Sequence, residues 1–522
     1  MNIATDPWIP IVWEGGKPGM VSLSEVYEGG HGVQDLAVRP HERVALMRLF
    51  LCVAQAALDG PADYDGWKIC ASSILPSTLG YLKKWHHAFE LFGNGQRFLQ
   101  LGKLKKPSNT SSIPNNEGNS ISKLDIALAT GNNSTLFDNA GGTERIFTPA
   151  QLALMLLTYQ CFSPGGTIGV ATWNGKPTPG WKSYPKAAPG QSNHAPCLPG
   201  SMLHAFLRGA NLADTVHLNL LNKHVVELAL GVDTWGRPVW EAMPASPHDK
   251  LQITNATTTY LGRLVPLSRA VRLEDDGRCL LLANALTYPS YPEAREPSAT
   301  VVIRKRDGAP IRATLGGSLD RAPWRELHSL TVKRIGLETN GGPLALQNLS
   351  DDRPFDLWVG GLVADQAKPL DTLESVFHVP SAMLAEPSRR AYEQGVALAE
   401  TTEFRLRRAV SAYRRERGDN LDRPELRERR RRVQNQATEQ YWTEVERDVN
   451  DLLAVAGNPA LLGLDGAWQR TDWGRAIWRA ALAAYDHASP HETARQIRAY
   501  ALGRQALAAT PAIQRSREET EL

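Results

Sequence analysis

The stretch LAEPSRRAYEQGVALAETTEFRLRRAVSAYRRE, residues 384–416, decides the fold of the second part of the chain. Tyr392, Val396, Ala399, Leu406, Val410 and Tyr413 recur there at three- and four-residue steps, with Glu403 the one polar break. That period puts them on one face of an α-helix. Three more stretches continue the pattern. Val433, Ala437, Val445, Val449 and Leu452 lie within 423–456; Trp473, Ile477, Ala480 and Ala484 within 466–487; and Ala494, Ile497 and Ala501 within 490–509. Four amphipathic helices joined by short connections bury their apolar faces against one another, which predicts an antiparallel four-helix bundle.

Upstream of this region the composition changes. Residues 1–375 are rich in Gly, Pro, Asn and Thr, with short helical and strand-like runs between long loops. The Val379-Pro380 dipeptide precedes the sustained helical signal, so two domains are expected, a mixed α/β domain over 1–378 and the bundle over 379–522. The predicted class is α+β. In the first domain, His41–Leu58 reads as a mostly apolar helix opened by Pro40 and closed by Gly60. Pro149–Tyr159 follows Thr148 as N-cap and runs apolar to Cys161. Ala299–Lys305 and Ile311–Leu315 flank Asp307-Gly308, a hairpin signal. The polar loops at 104–122 and 174–200 are long enough to be mobile or functional.

At 522 residues and a net charge of +3, the chain is long enough for several domains and carries no overall charge that implies a polyanionic partner. It has no uninterrupted apolar run long enough to span a bilayer, and Met1–Pro10 does not read as a secretion signal, so a cytoplasmic protein without a membrane partner is expected. Cys52, Cys70, Cys161, Cys197 and Cys279 are dispersed, odd in number and free of CxxC pairs, a usage that suits a reducing compartment.

A search for catalytic motifs is unproductive. The chain has no GxxxxGK[ST] phosphate loop and no GxSxG elbow. His41-Glu42 lacks the second histidine of a helical zinc site, and the neighbouring rings of His86-His87 point in different directions. His248-Asp249 falls in a Pro- and Ser-containing turn with no further ligand at a recognisable spacing. No catalytic residue, metal or cofactor is expected.

Three features suit nucleic acid. Between Arg405 and Arg432 there are twelve arginines and five acidic residues, densest at Arg429-Arg430-Arg431-Arg432. Such a cluster binds phosphate through its planar forks of donors, or serves as a solvated helix face with Glu–Arg pairs at helical spacing. Ser163-Pro164-Gly165-Gly166-Thr167 follows an apolar helix, and its glycines either end that helix or let backbone N–H groups approach a phosphate or base edge. Leu357–Leu362, followed by Val363-Ala364-Asp365-Gln366-Ala367-Lys368, joins an apolar run to a small polar tip that could place Gln366 against a base pair.

In this order, several motifs resemble the CasA family, the large subunits of type I-E CRISPR Cascade complexes. They are Asp6-Pro7-Trp8-Ile9-Pro10, Val21-Ser22-Leu23-Ser24-Glu25-Val26, Pro40-His41-Glu42-Arg43, Gly131-Asn132-Asn133-Ser134-Thr135-Leu136-Phe137-Asp138, Gly165-Gly166, and Gly360-Gly361 with Gln366. The resemblance covers nearly the whole chain. It implies a non-catalytic subunit that joins other Cascade subunits and crRNA and inspects double-stranded DNA for the protospacer-adjacent motif (PAM). It also implies that the subunit helps open the duplex and presents the target to a recruited helicase–nuclease. By position, Gly165, Gly166 and Thr167 match the family's glycine loop, and Gln366, flanked by Asp365 and Ala367, matches its wedge. Leu136, Phe137, Asp138 and Asn139 match a loop that contacts the crRNA, and the family's basic finger falls nearest Arg278. Some family members carry paired CxxC motifs; their absence here predicts no structural zinc. Two other classes stay open on the residues alone, a free-standing nucleic-acid enzyme and a scaffold that binds only protein.

Overall fold

A computed structural model describes residues 1–106, 119–128, 145–162, 168–180, 198, 200–231, 233–289, 295–306, 308–336, 339–350, 352–365, 368–418, 423–463 and 467–508. The residues cluster in two compact units. One comprises 1–350 and 355–378; the other comprises 351–354 and 379–522. The chain is α+β: small antiparallel sheets and helices share the first unit, and helices make up the second.

Three strands open the first unit, β1 (Ile9–Trp13), β2 (Pro18–Val21) and β3 (Val33–Leu36), in the order β2-β1-β3. Helix α1 (Pro40–Leu58) follows, with proline in its first turn and the Arg39 N–H donating to Glu42 Oε2 at 2.9 Å. It is buried without interruption from His41 to Gln55, so it is a central element rather than a surface helix. Asp59 and Gly60 end it in the left-handed region, and a Cβ on Gly60 would stand 2.3 Å from the Trp235 ring. Helix α2 (Pro149–Phe162) begins with a reciprocal cap between Thr148 and Gln151 and is buried from Leu152 onward.

One sheet combines β4 (His204–Arg208) with strands far along the chain. β5 (Arg269–Leu273) and β6 (Cys279–Asn284) pair antiparallel, as do β7 (Val301–Arg306) and β8 (Ala309–Thr314) across a turn that includes Gly308. Two long strands, β9 (Phe355–Asp365) and β10 (Lys368–Val379), are neighbours in the order β10-β9-β4. β9 pairs antiparallel with β4, Leu357 opposite Leu207 and Val359 opposite Ala205. As the middle strand it is covered on both faces, α1 lying against it, which is why it reads as a near-continuous apolar run.

In the second unit α3 (Glu386–Glu416) packs on α4 (Pro424–Arg447), α5 (Val449–Gly457), α6 (Asp472–Ala488) and α7 (Ala494–Ala508). The six apolar positions read on the 384–416 stretch are all buried. α3 and α4 run antiparallel, because Tyr441 Oη donates to Ala399 O while Gln434 Nε2 donates to Arg407 O. Two expectations need correction. The stretch 423–456 is not one helix. At Asp448 the backbone turns (φ −102, ψ 15) through i→i+3 bonds, and the Asp448 carboxylate accepts from Arg479 of α6 at 3.0 Å. Its apolar positions stay three or four residues apart across the break, so their period does not reveal it. The buried face of α7 also differs from the one its spacing predicts. Ala494, Ile497 and Ala501 are exposed, while Ala499, Gly503 and Leu507 are buried. A Cβ at Gly503 would lie 1.9 Å from Tyr485 Oη and 2.9 Å from Ala409 O, so close approach at a glycine won over the bulk of Ile497.

Candidate nucleic-acid interface

The β9–β10 hairpin leads to the tip that carries the candidate wedge. Its end is clamped by Ser201, whose Oγ accepts from the Ala364 N–H at 3.0 Å and donates to Ala364 O at 2.8 Å. Lower down, two glycines permit contact with neighbouring strands. A Cβ on Gly360 would stand 2.7 Å from Leu373 O, and one on Gly361 would stand 2.7 Å from Met202 O. At the base, Trp358 donates through Nε1 to Glu374, and the Arg43 guanidinium lies over the Trp358 ring at 5.5 Å. Arg43 also binds Asp35 at 2.5 Å, and Arg208 reaches the other Asp35 oxygen at 3.1 Å. Burial pushes the Asp35 carboxyl up, but its hydrogen bond and charge interaction with Arg43 outweigh this and hold it below the usual range. The hairpin is therefore fixed up to exposed Asp365. Gln366 and Ala367 lie outside the described residues.

The candidate glycine loop leaves the same region. α2 ends at Phe162, which is buried; Gly165, Gly166 and Thr167 lie outside the described residues. The Phe162 ring meets His204 of β4 edge-on at 6.1 Å and His41 of α1 at 6.3 Å. His204 Cδ2 also stands 3.7 Å from where a Gly361 Cβ would be. The root of the glycine loop and the shaft of the hairpin thus bear on one histidine.

His204 is in turn part of a buried ionic group. Its Nδ1 lies 2.9 Å from Ser298 Oγ, which donates to Glu296 Oε1 at 2.9 Å. Glu296 pairs with Arg48 of α1 at 2.5 Å, both side chains being at most 2% exposed. Arg48 also donates through Nε to Leu264 O at 2.8 Å and through Nη2 to Arg263 O. Burial alone would push Glu296 up; Arg48, with help from His204 and Arg263, holds it low. Burial lowers His204 to about 4 despite the opposing charge of Glu296, so the ring is neutral at physiological pH. Beside Arg48, Glu296 and Tyr260 is a cavity of about 20 Å³, room for one water molecule. This group ties α1, β4 and the 296–298 segment together. It is too enclosed for a substrate.

The remaining predicted residues are dispersed. Arg278 is exposed in the β5–β6 turn, where its own N–H donates to Asp276 Oδ1 at 2.9 Å, and the adjacent Asp275 is paired to buried Arg97. Leu136, Phe137, Asp138 and Asn139 lie outside the described residues, as does Asp307. So do most of the polar segments read as long loops; residues 104–105 and 172–173 do form short paired strands. Of the arginine run on α4, Arg429, Arg431 and Arg432 are exposed and Arg430 is half-buried. Arg432 pairs with Glu428 at 2.7 Å, one of the Glu–Arg pairs that helical spacing offers. His248 lies 3.3 Å from Thr287 Oγ1, and Asp249 caps the helix at Lys250–Thr258. His41 is buried and lowered to about 3 by burial and by Arg39. Among the described residues, no group of three His, Cys, Asp or Glu side chains is placed to hold a metal ion. No helix among them is long and apolar enough to cross a membrane.

Sequence reasoning missed two basic features. The β7–β8 hairpin, expected from its two runs and Asp307-Gly308, presents exposed Arg304 and Lys305 beside Ile303, cations that the reading did not single out. The Asp35–Arg43–Glu374 support of Trp358 joins the neighbouring β3 and α1 to β10, far along the chain, and of its members only Arg43 stands inside a quoted motif.

An α+β frame thus holds the end of α2 and the shaft of the β9–β10 hairpin against one buried polar group. Residues 2–484 match the family described as CRISPR-associated protein Cse1. The chain belongs to that family, also called CasA. It is 29% identical over 432 residues to the CasA/Cse1 protein of Thermus thermophilus, an alignment that covers 76% of this chain and 75% of that one. The fold is similar to that of Cse1 from Acidimicrobium ferrooxidans, with a TM-score of 0.71 and 17% identity over 97% of this chain and 96% of the other. It is also similar to a chain in a CRISPR RNA-guided surveillance complex, with a TM-score of 0.67 and 18% identity over 98% of this chain and 99% of the other.

Proposed function

We propose that this chain is the DNA-reading, non-catalytic subunit of a CRISPR RNA-guided surveillance complex. It recognises the PAM in double-stranded DNA, starts strand separation, and presents the opened target to a helicase–nuclease. The observation that carries this reading is the convergence of Phe162 and Gly361 on His204, because a reader and a wedge must act on adjacent base pairs from one rigid base. In this reading Gly165, Gly166 and Thr167 follow the minor-groove edge, where the degenerate pattern of acceptors admits several related motifs. Gln366, between Asp365 and Ala367, enters beside the PAM. Unstacking one step costs roughly a few kcal/mol, which guide pairing offsets without ATP, since the heteroduplex nearly balances the duplex it replaces. Arg278 supplies the basic contact, and Leu136 to Asn139, with Phe137 as anchor, engage the crRNA. Arg429 to Arg432 add salt-dependent attraction to phosphate. The helical unit is read as a four-helix bundle in which α4 and α5 form one broken helix.

The test is duplex binding by a crRNA-loaded core complex, with and without this chain, on targets differing only in the PAM. PAM-dependent binding and opening that appear only when the chain is added support the proposal. Equal binding to every target in its presence contradicts it.

A further inference from the structure

The helical unit carries a second feature, independent of the loops described above. A groove of about 490 Å³ runs along α3 and is lined there by Phe404, Arg407, Arg408, Ser411, Ala412 and Arg415, with Gln434 of α4 on its floor and Ala506 of α7 closing it. Phe404, Arg408, Ser411 and Arg415 follow one another at four-, three- and four-residue steps, so they form one stripe about 16 Å long.

The polar floor satisfies itself. Gln434 Nε2 donates to Arg407 O and Ser411 Oγ, both at 2.8 Å, and Arg407 is paired with Glu403 at 2.5 Å. The walls are different. Arg408 and Arg415 are exposed, and neither has a carboxylate partner among the described residues. The Arg408 guanidinium stands 5.9 Å from the centre of the Phe404 ring, and Phe404 is 57% exposed. On α4, Arg430 precedes Gln434 by one helical turn and lies on the same face. Because α3 and α4 run antiparallel, Arg430 falls on the Arg415 side of the groove. The tetra-arginine run is thereby divided. Arg430 is half-buried on the face of α4 that carries Gln434, whereas exposed Arg432 pairs with Glu428.

We propose that this groove binds single-stranded nucleic acid, with Arg408 and Arg415 on successive phosphates and a base stacked on Phe404. An exposed aromatic ring flanked by unpaired arginines suits a strand whose bases are free to stack. A duplex keeps its base faces inside, and an acidic peptide offers nothing for the ring to stack on.

The experiment uses the full chain and a fluorescein-labelled oligothymidylate, followed by anisotropy across a salt series, beside an abasic oligomer of the same length and a polyglutamate competitor. The R408Q/R415Q double variant is expected to weaken binding to both oligomers and to flatten the salt slope by about 1.4, roughly 0.7 for each phosphate no longer neutralised. F404A is expected to weaken oligothymidylate binding by about fivefold or more while leaving the abasic oligomer unchanged, and F404W to restore it. The substituted positions are all exposed, and unchanged melting temperatures show that the variants fold. The proposal is overturned if the wild-type chain does not bind oligothymidylate at low salt, or if F404A weakens both oligomers equally. Displacement by polyglutamate with no effect of F404A also overturns it and assigns the groove to acidic peptides. PAM discrimination is scored separately on duplex targets, so failure here leaves the PAM reading standing, and failure of that reading leaves this one.

Discussion

Arg48 and Arg408 are both helical arginines, and their surroundings are opposite. Arg48 is 2% exposed and bonded to two carbonyls and a carboxylate. Arg408 is exposed on α3 and faces a groove. The contrast extends to the units that hold them. Arg43, Arg48, Arg97, Arg263, Arg269, Arg325, Arg334, Glu42 and Glu296 are buried in the first unit, whereas Arg414 is the one charged side chain buried in the helical unit among the described residues. In the first unit several charged side chains are buried and tie segments together; in the second almost all of them stay at the surface. Buried ion pairs are a poor source of net stability, so their cost is best understood as the means of fixing distant segments to one another.

The contrast can be broken most severely at Arg48. Arg48→Met leaves Glu296 buried without its partner and should lower the stability of the first unit by about 3–5 kcal/mol in chemical denaturation. A loss below about 1 kcal/mol would mean that the pair is not the tie it is taken to be.

Acidification tests the same group from another side. His204 is lowered in the folded chain from 6.5 to about 4. Between those values the unfolded chain binds more protons, so the contribution of His204 is complete above pH 6.5 and is lost as pH falls toward 4. That loss amounts to ~3 kcal/mol at 1.36 kcal/mol per pH unit. His204→Gln should remove this component of the pH slope in thermal melts. A slope identical to that of the wild type would place the titration elsewhere, with buried His41 the next candidate.

In the helical unit the largest effect should come from packing. Gly503→Val drives side-chain atoms into Tyr485 and Ala409 O and should cost about 1–3 kcal/mol, separating an early transition of this unit from the melting of the first. Arg432→Ala removes only an exposed pair with Glu428 and should change stability by less than about 0.5 kcal/mol. A larger change there would show that surface charge in this unit also has a structural role.

How far these features can be read from the sequence follows from their range. The α1 helix is legible because Pro40 and Gly60 mark its ends and its apolar run is continuous. The α3 face is legible because six buried positions share one period. The β7–β8 hairpin is legible from Asp307-Gly308. The turn at Asp448 is not, since it leaves the apolar spacing intact and depends on Arg479 from another helix. The face of α7 is misread from its spacing because two faces fit, and only the approach of Tyr485 to Gly503 distinguishes them. Gly360-Gly361 and Gln366 can be quoted as a motif, yet the approach of Phe162 and Gly361 to one histidine, His204, is visible only in three dimensions. The Arg48–Glu296 pair leaves no local trace, for Arg48 reads as one cation within an apolar helix. The Phe404–Arg408–Ser411–Arg415 stripe does leave one, a polar face at helical steps, which counting arginines alone obscures.

The central claim is that one rigid frame sets a wedge beside a PAM reader, and its most direct test is duplex opening by the assembled complex carrying Gln366→Ala. A 2-aminopurine placed next to the PAM reports unstacking on a fully paired target and on one already unpaired at that step. The account predicts that the variant loses the signal change and R-loop formation on the paired target and regains near-normal R-loop formation on the unpaired one. Equal loss on both targets, or no loss on either, would contradict it.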